Sequence, residues 1–153
     1  MQTLEQQLAP FKFVHKITVE WGEMDAAQHV NNTIYLKWCE SARVAYFRKI
    51  KIDISSSGSG TEAQPSEVGI IIGYVDCKYI LPVTFPDTIH IGIKIAEIKS
   101  DRIVMESHFF SEKYNKIVAI SKQEVLPYNY VERKKIPVTE ELIGLIGAIE
   151  GMA

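Results

Sequence analysis

The sequence predicts an α+β domain in which one long helix near the start is followed by a run of antiparallel strands and a short C-terminal helix. Three observations predict it. From Asn31 to Ile50 neither Gly nor Pro interrupts a stretch in which Ile34, Trp38, Ala42 and Tyr46 recur at helical spacing, with Tyr35 and Cys39 widening the apolar face. The segments on either side alternate apolar and polar residues with a period of two. The later segments are joined mostly by short turns, which impose antiparallel pairing and exclude a doubly wound parallel sheet.

Taken in order, Phe11, Phe13, Ile17, Val19 and Trp21 alternate with Lys12, Lys16, Thr18 and Glu20, so a strand is expected from Phe11 to Trp21 with one face buried. His15 falls on its apolar side and reads as a packed residue. The helix spans roughly 30 Å at 1.5 Å per residue, close to a ten-residue strand at about 3.3 Å per residue, so a sheet of long strands can cover it. Glu40 and Arg43 read as a weak surface pair on its polar side. The segment from Ile52 to Glu67, with SSSGSG at its centre, is expected to be a mobile loop without a phosphate-binding or nucleophile-elbow pattern.

Val68 to Ile80 reads as one long strand, with Gly69 and Gly73 marking a bend or a close backbone approach. Pro82, Pro86 and Asp87 make a turn, after which Ile89, Ile91, Ile93 and Ile95 share one face of a strand. Lys99 to Asp101 turn the chain into a strand from Arg102 to Glu112, and Lys113 to Lys116 turn it into the last strand, whose far end is weakened by Pro127. The cluster Glu132 to Lys135 reads as a solvated face. Thr139 caps a helix that carries Glu140 and Glu141 in its first turn and Leu142, Ile143, Leu145 and Ile146 on its apolar side.

At 153 residues the chain suits a single domain, residues 1–153, with a substantial core. Its 46% hydrophobic and 24% charged residues are those of a folded globular protein. A formal net charge of −2 argues against a general nucleic-acid binder. With no apolar run long enough for a membrane span and no basic, apolar leader at Met1 to Pro10, a cytoplasmic location is expected. Cys39 and Cys77 fit that compartment and are expected to be small buried residues, since they form no disulfide framework or Cys-x-x-Cys pair. His15, His29, His90 and His108 are scattered without metal-ligand spacing, so no metal is expected.

Chemistry concentrates just before the long helix, where Asp25, His29, Asn31 and Asn32 fall within eight positions. An asparagine there can cap the free N–H groups of the first turn. Asp25 lies six residues before the helix, too far to be its cap, in a turn after the strand end. A carboxylate so placed can face the helix N-terminus, whose N–H groups and dipole favour developing negative charge. That is the pairing an acyl-transfer site requires.

The stretch Asp25-Ala-Ala-Gln-His29-Val-Asn31-Asn32-Thr-Ile-Tyr35-Leu, followed by Glu40-Ser-Ala-Arg43, resembles the hotdog-fold acyl-CoA thioesterases of the 4-hydroxybenzoyl-CoA thioesterase type. The resemblance continues through Cys77-Lys78-Tyr79 and Pro82 to Asp87 as far as Ile136-Pro137. It implies a five-stranded antiparallel sheet wrapped around the long helix. It also implies a homodimer whose sheets join edge to edge, with sites at the interface and further assembly into a homotetramer. It makes Asp25 the catalytic carboxylate and the backbone N–H of Asn32 the group that polarises the thioester oxygen. Gln28 stands where a Gly is common in that family, and Glu23 where an Asp is common.

The expected reaction is hydrolysis of an acyl-CoA thioester without a cofactor, Asp25 acting as general base or as nucleophile. His29 and Asn31 are expected to hold the turn or touch the substrate, Tyr35 to be half core and half pocket wall, and Glu40 to be a structural hydrogen bonder. Lys99, Arg102, Arg133 and Lys134 are chosen by charge and turn position as candidates for the CoA phosphates. Two other readings compete. One is a hydratase acting on enoyl-CoA, with Asp25 and His29 as its pair; the other is a non-catalytic module that binds acyl-CoA or acyl-carrier protein. Trp21, Trp38, Tyr46 and Phe47 suit an aromatic or a fatty acyl group equally well, so the acyl group stays open.

Overall fold

The computed structural model describes residues 1–52 and 68–152, so the expected loop from Ile52 to Glu67 falls almost wholly outside the described residues. A short helix α1 (Leu4–Leu8) leads into strand β1 (Phe13–Thr18) and the central helix α2 (Asn32–Lys49). Strands β2 (Val68–Val75), β3 (Lys78–Tyr79), β4 (Thr88–Ile98), β5 (Ile103–Ser111), β6 (Lys116–Asn129) and β7 (Lys134–Lys135) follow, and α3 (Glu140–Glu150) closes the chain. The main sheet has the order β1-β4-β5-β6-β2, with β3 and β7 as short additions on β6. Every pairing is antiparallel. Five principal strands and one long helix are the expected architecture.

One face of the sheet meets α2. Ile89, Ile91 and Ile93 of β4 are fully buried, as are Met105 and Phe109 of β5, against Tyr35, Trp38, Cys39, Ala42, Tyr46 and Phe47 of the helix. Each such large apolar side chain contributes about 2 kcal/mol of transfer free energy. Aromatic contacts pin the helix at both ends: Tyr35 lies 6.0 Å from Phe109, and Tyr46 stands edge-on to Phe13 at 5.5 Å. Tyr46 also donates to Glu150 Oε1 at 2.8 Å, which ties α3 to the end of α2. Burial, with the carboxylate beside it, pushes the Tyr46 phenol well above its ordinary range, so it remains a donor. Thr139 caps α3 as expected, accepting from the Leu142 amide.

Four departures have local causes. The first strand ends at Thr18, not Trp21, because Glu20 and Glu23 cap each other around a single 3₁₀ turn at Trp21–Glu23 and leave Trp21 71% exposed. The long strand expected from Val68 to Ile80 is broken in two: its register on β6 shifts between Ile72 and Tyr74, around Gly73, and the regular ladder stops after Val75, where the Asp76 amide still donates to the Lys122 carbonyl at 3.0 Å, and resumes at Lys78. Cys77 there is half-buried, and burial pushes its thiol up to about 11. Pro127 is accommodated inside β6, where its carbonyl accepts from the Ile136 amide at 3.1 Å. Arg43 makes no ion pair with Glu40; half-buried, it turns inward to donate to Gln123 Oε1 at 2.7 Å.

Candidate active site

The site lies where α2 begins. After the 3₁₀ turn, Met24 and Val30 form an antiparallel bridge, and between them the Asp25 amide donates to the His29 carbonyl at 3.0 Å while the Gln28 amide donates to the Asp25 carbonyl at 2.9 Å. Closing so tight a turn places Gln28 at φ 60°, in the left-handed region that costs every residue but Gly. This is the physical reason a Gly suits position 28. Glu23, the other variant position, ties the turn to its surroundings: its side chain accepts from Trp38 Nε1 at 3.2 Å, and its carbonyl accepts from the Asn31 amide at 2.9 Å.

Asn31 is the N-cap of α2. Its Oδ1 accepts from the Thr33 amide at 2.9 Å and from the Thr33 hydroxyl at 2.7 Å. Its carbonyl takes the Ile34 amide at 3.0 Å. The Asn32 amide, flanked by the satisfied amides of Asn31 and Thr33, has no partner among the described residues. On its other side Asn31 donates from Nδ2 to Asp25 Oδ2 at 3.4 Å, a long bond, while Asp25 Oδ1 accepts from the Ala27 amide at 2.9 Å. One side chain thus spans the catalytic candidate and the helix start. Asp25 makes no ion pair among the described residues.

A cleft of about 390 Å³ opens here, with Asp25, His29, Asn32, Tyr35, Tyr79 and Leu81 in its wall. The structure therefore brings Asp25, His29, Asn32 and Tyr35 to one place, with Asn31 bonded to the carboxylate behind them. Burial pushes the Tyr35 phenol up to about 12, so it stays neutral. The wall formed by residues 79–82 leaves β3 with the Ile80 and Leu81 amides on the Val118 carbonyl, and the loop it enters ends at Asp87, which accepts from the Ser111 hydroxyl and from the Thr88 and Lys113 amides. Tyr79 and Leu81 were not singled out by sequence reasoning. The signal lay in the Cys77-Lys78-Tyr79 stretch, which a two-residue strand on β6 turns toward the helix.

The four cations are not part of this cleft within one chain. β4 runs away from Asp87 for eleven residues, roughly 35 Å, before the turn that holds Lys99 and Arg102. Arg102 donates to Asp101 at 2.8 Å and to Glu124 at 2.9 Å; Lys99 lies 4.0 Å from Glu97. Lys134 pairs with Glu132 beside Arg133, which sits in the same region at φ 55°. All four gather at the end of the sheet opposite Asp25.

A 1,4-dihydroxy-2-naphthoyl-CoA hydrolase from Prochlorococcus marinus (strain NATL2A) is 25% identical over 129 residues, 83% of this chain and 82% of that protein. The solved structure of a DHNA-CoA thioesterase from Staphylococcus aureus superposes with a TM-score of 0.75 at 14% identity, covering 91% of each chain. A 1,4-dihydroxy-2-naphthoyl-CoA thioesterase from Synechocystis gives 0.73 at 16% identity, over 88% of this chain and 94% of that one. Those two superpositions speak for the fold alone. The family model of the thioesterase-like superfamily matches residues 19–145. The chain belongs to that superfamily: it has the hotdog fold and is a thioester hydrolase.

Proposed function

We propose that the protein hydrolyses an acyl-CoA thioester to the free acid and CoA at the Asp25 cleft, without a cofactor. The observation that carries this reading is the Asn32 amide at the start of α2, without a partner among the described residues, in the same cleft as the Asp25 carboxylate. The thioester carbonyl oxygen takes the Asn32 N–H, which with the helix dipole stabilises the oxyanion, a contribution on the order of 3 kcal/mol. As general base, Asp25 removes a proton from water as its oxygen attacks the carbonyl carbon. The C–S bond then breaks, and the CoA thiolate leaves and takes a proton. As nucleophile, Asp25 instead forms an anhydride that water opens. Asn31 holds the carboxylate, His29 and Tyr35 line the cleft, and the location is the cytoplasm.

The relative named for dihydroxynaphthoyl-CoA makes an aromatic acyl group the first to test. The open edge of β2 supports the homodimer, itself the unit of a homotetramer. Among the described residues β2 ends the sheet, and its Ile72, Tyr74 and Val75 are exposed. Antiparallel pairing of two such edges sets the far end of one sheet beside the near end of the other. The partner's copies of Lys99, Arg102, Arg133 and Lys134 then approach the Asp25 cleft, where they meet the CoA phosphates.

His29 beside Asp25 in one cleft is the observation that keeps enoyl-CoA hydration as a second reading. A thiol-release screen over short, long and aromatic acyl-CoAs, run beside loss of enoyl absorbance with crotonyl-CoA, separates the two. Thiol release supports hydrolysis, and enoyl loss without thiol supports hydration. Tight binding with neither supports a binding module, for acyl-CoA or for acyl-carrier protein.

A further inference from the structure

We infer that Tyr79 is a positioning residue of this site: from its place on the sheet, its hydroxyl sets the first turn of α2 and with it the Asn32 amide. The inference rests on the preceding reading of Asn32 as the oxyanion donor. Tyr79 is anchored independently of the helix. β3 pairs it with Ala119 on β6, and the next two residues continue that attachment, the Ile80 and Leu81 amides donating to the Val118 carbonyl at 2.8 and 3.1 Å. Its ring stands edge-on to Tyr35, with centroids 5.0 Å apart and planes at 89°, and Tyr35 in turn packs on Trp38 and Phe109. Backbone and ring are therefore both held.

From that anchor the hydroxyl donates to the Asn32 carbonyl at 2.9 Å. In an undisturbed helix this carbonyl needs only the amide four residues on, so the bond satisfies no orphan group of the helix end. What it does is connect the sheet to the residue whose N–H is proposed to meet the substrate. The other ties on the helix start come from loops: Asn31 to the Glu23 carbonyl, and Val30 to the Val83 carbonyl at 2.8 Å. Among the described residues, Tyr79 supplies the tie to residue 32 from a hydrogen-bonded strand. Donor geometry matters most when charge develops, and small displacements of a positioned group cost rate more than binding. Tyr79 is also 45% exposed on the cleft wall, where a hydrogen bond adds little to folding stability. Partial burial and the Cys77 thiol hold its phenol above the ordinary range, so it remains a donor.

The test compares kcat and KM of wild type, Tyr79→Phe and Tyr79→Leu on an acyl-CoA that the wild type hydrolyses, with the amide resonance of Asn32 as a second readout. Loss of the hydroxyl alone should lower kcat roughly tenfold, with KM within about twofold of wild type, and should shift the Asn32 amide signal. Tyr79→Leu should show the same fall in kcat plus a raised KM, because the ring wall is gone. Wild-type kcat in Tyr79→Phe, or a loss confined to KM, overturns the assignment while leaving the hydrolase reading intact. Absence of thiol release by the wild type itself overturns the reading on which the assignment rests.

Discussion

Gln28 shows how one residue records the demands of the site. Its φ of 60° is required by a turn that must bring Asp25 back toward the helix it precedes. A non-glycine side chain in that region costs about 1 kcal/mol. Gln28→Gly should therefore raise stability by up to about 1 kcal/mol, a few degrees in Tm, with kcat unchanged; a calorimetric scan beside an activity assay checks both. Asp101 makes a pH-dependent prediction at the same scale. Its hydrogen bond and charge contact with Arg102 lower its carboxyl from 3.8 to about 2. A depressed carboxyl contributes stability that is fully present above pH 3.8 and is lost as pH falls toward 2. Asp101→Asn should flatten that acid limb in denaturant melts and leave the pH dependence of stability near pH 7 unchanged. At this scale Asp25, Asn31 and Asn32 were readable because polar residues crowd a stretch between two apolar patterns. Tyr79 was not, because its role depends on a contact spanning 47 positions.

The elements follow local pattern wherever one face meets the core. Period two marks β4 and β5 because Ile89, Ile91 and Ile93 must all face α2, and the helix shows in its unbroken stripe. The same pattern overran the first strand, since Trp21 continues the alternation although a reciprocal cap at Glu20 and Glu23 diverts the backbone. It also joined β2 to β3, because β-branched residues on both sides of Gly73 hide the bulge. Across the sheet from α2, Phe11 lies over Gly92 and packs against His108 at 5.1 Å and Phe110 at 5.8 Å. A Cβ on residue 92 would come 2.5 Å from the Phe11 ring at Cγ, near its backbone, where the ring cannot simply swing aside. Gly92→Ala should thus cost about 1–3 kcal/mol in urea unfolding and expose the segment before β1 to faster amide exchange.

For the molecule as a whole, the cleft and the four cations sit at opposite ends of one sheet, which ties the proposed substrate site to the proposed dimer. Mixing Asp25→Asn with a variant in which Lys99, Arg102, Arg133 and Lys134 are all Ala makes this testable. Each variant alone should turn over acyl-CoA poorly. Random exchange of subunits should restore about a quarter of the wild-type sites, since half the dimers are mixed and each of these holds one complete site. No recovery after verified exchange would show that the cations serve their own chain or none. Sequence reasoning finds charge at these turns, but how far a strand carries it from Asp25 depends on sheet pairing that a local pattern does not carry.

Hydrolysis at this site requires the Asp25 carboxylate and the Asn32 amide to act on one bound thioester, and the steady-state rate of thiol release by Asp25→Asn measures that directly. Asn keeps the shape of the side chain and can still accept from Ala27 while removing the basic, nucleophilic oxygen. The predicted result is a fall in kcat of at least about a hundredfold, with KM and Tm near wild type. A kcat within a few-fold of wild type would contradict it and move the chemistry elsewhere in the molecule.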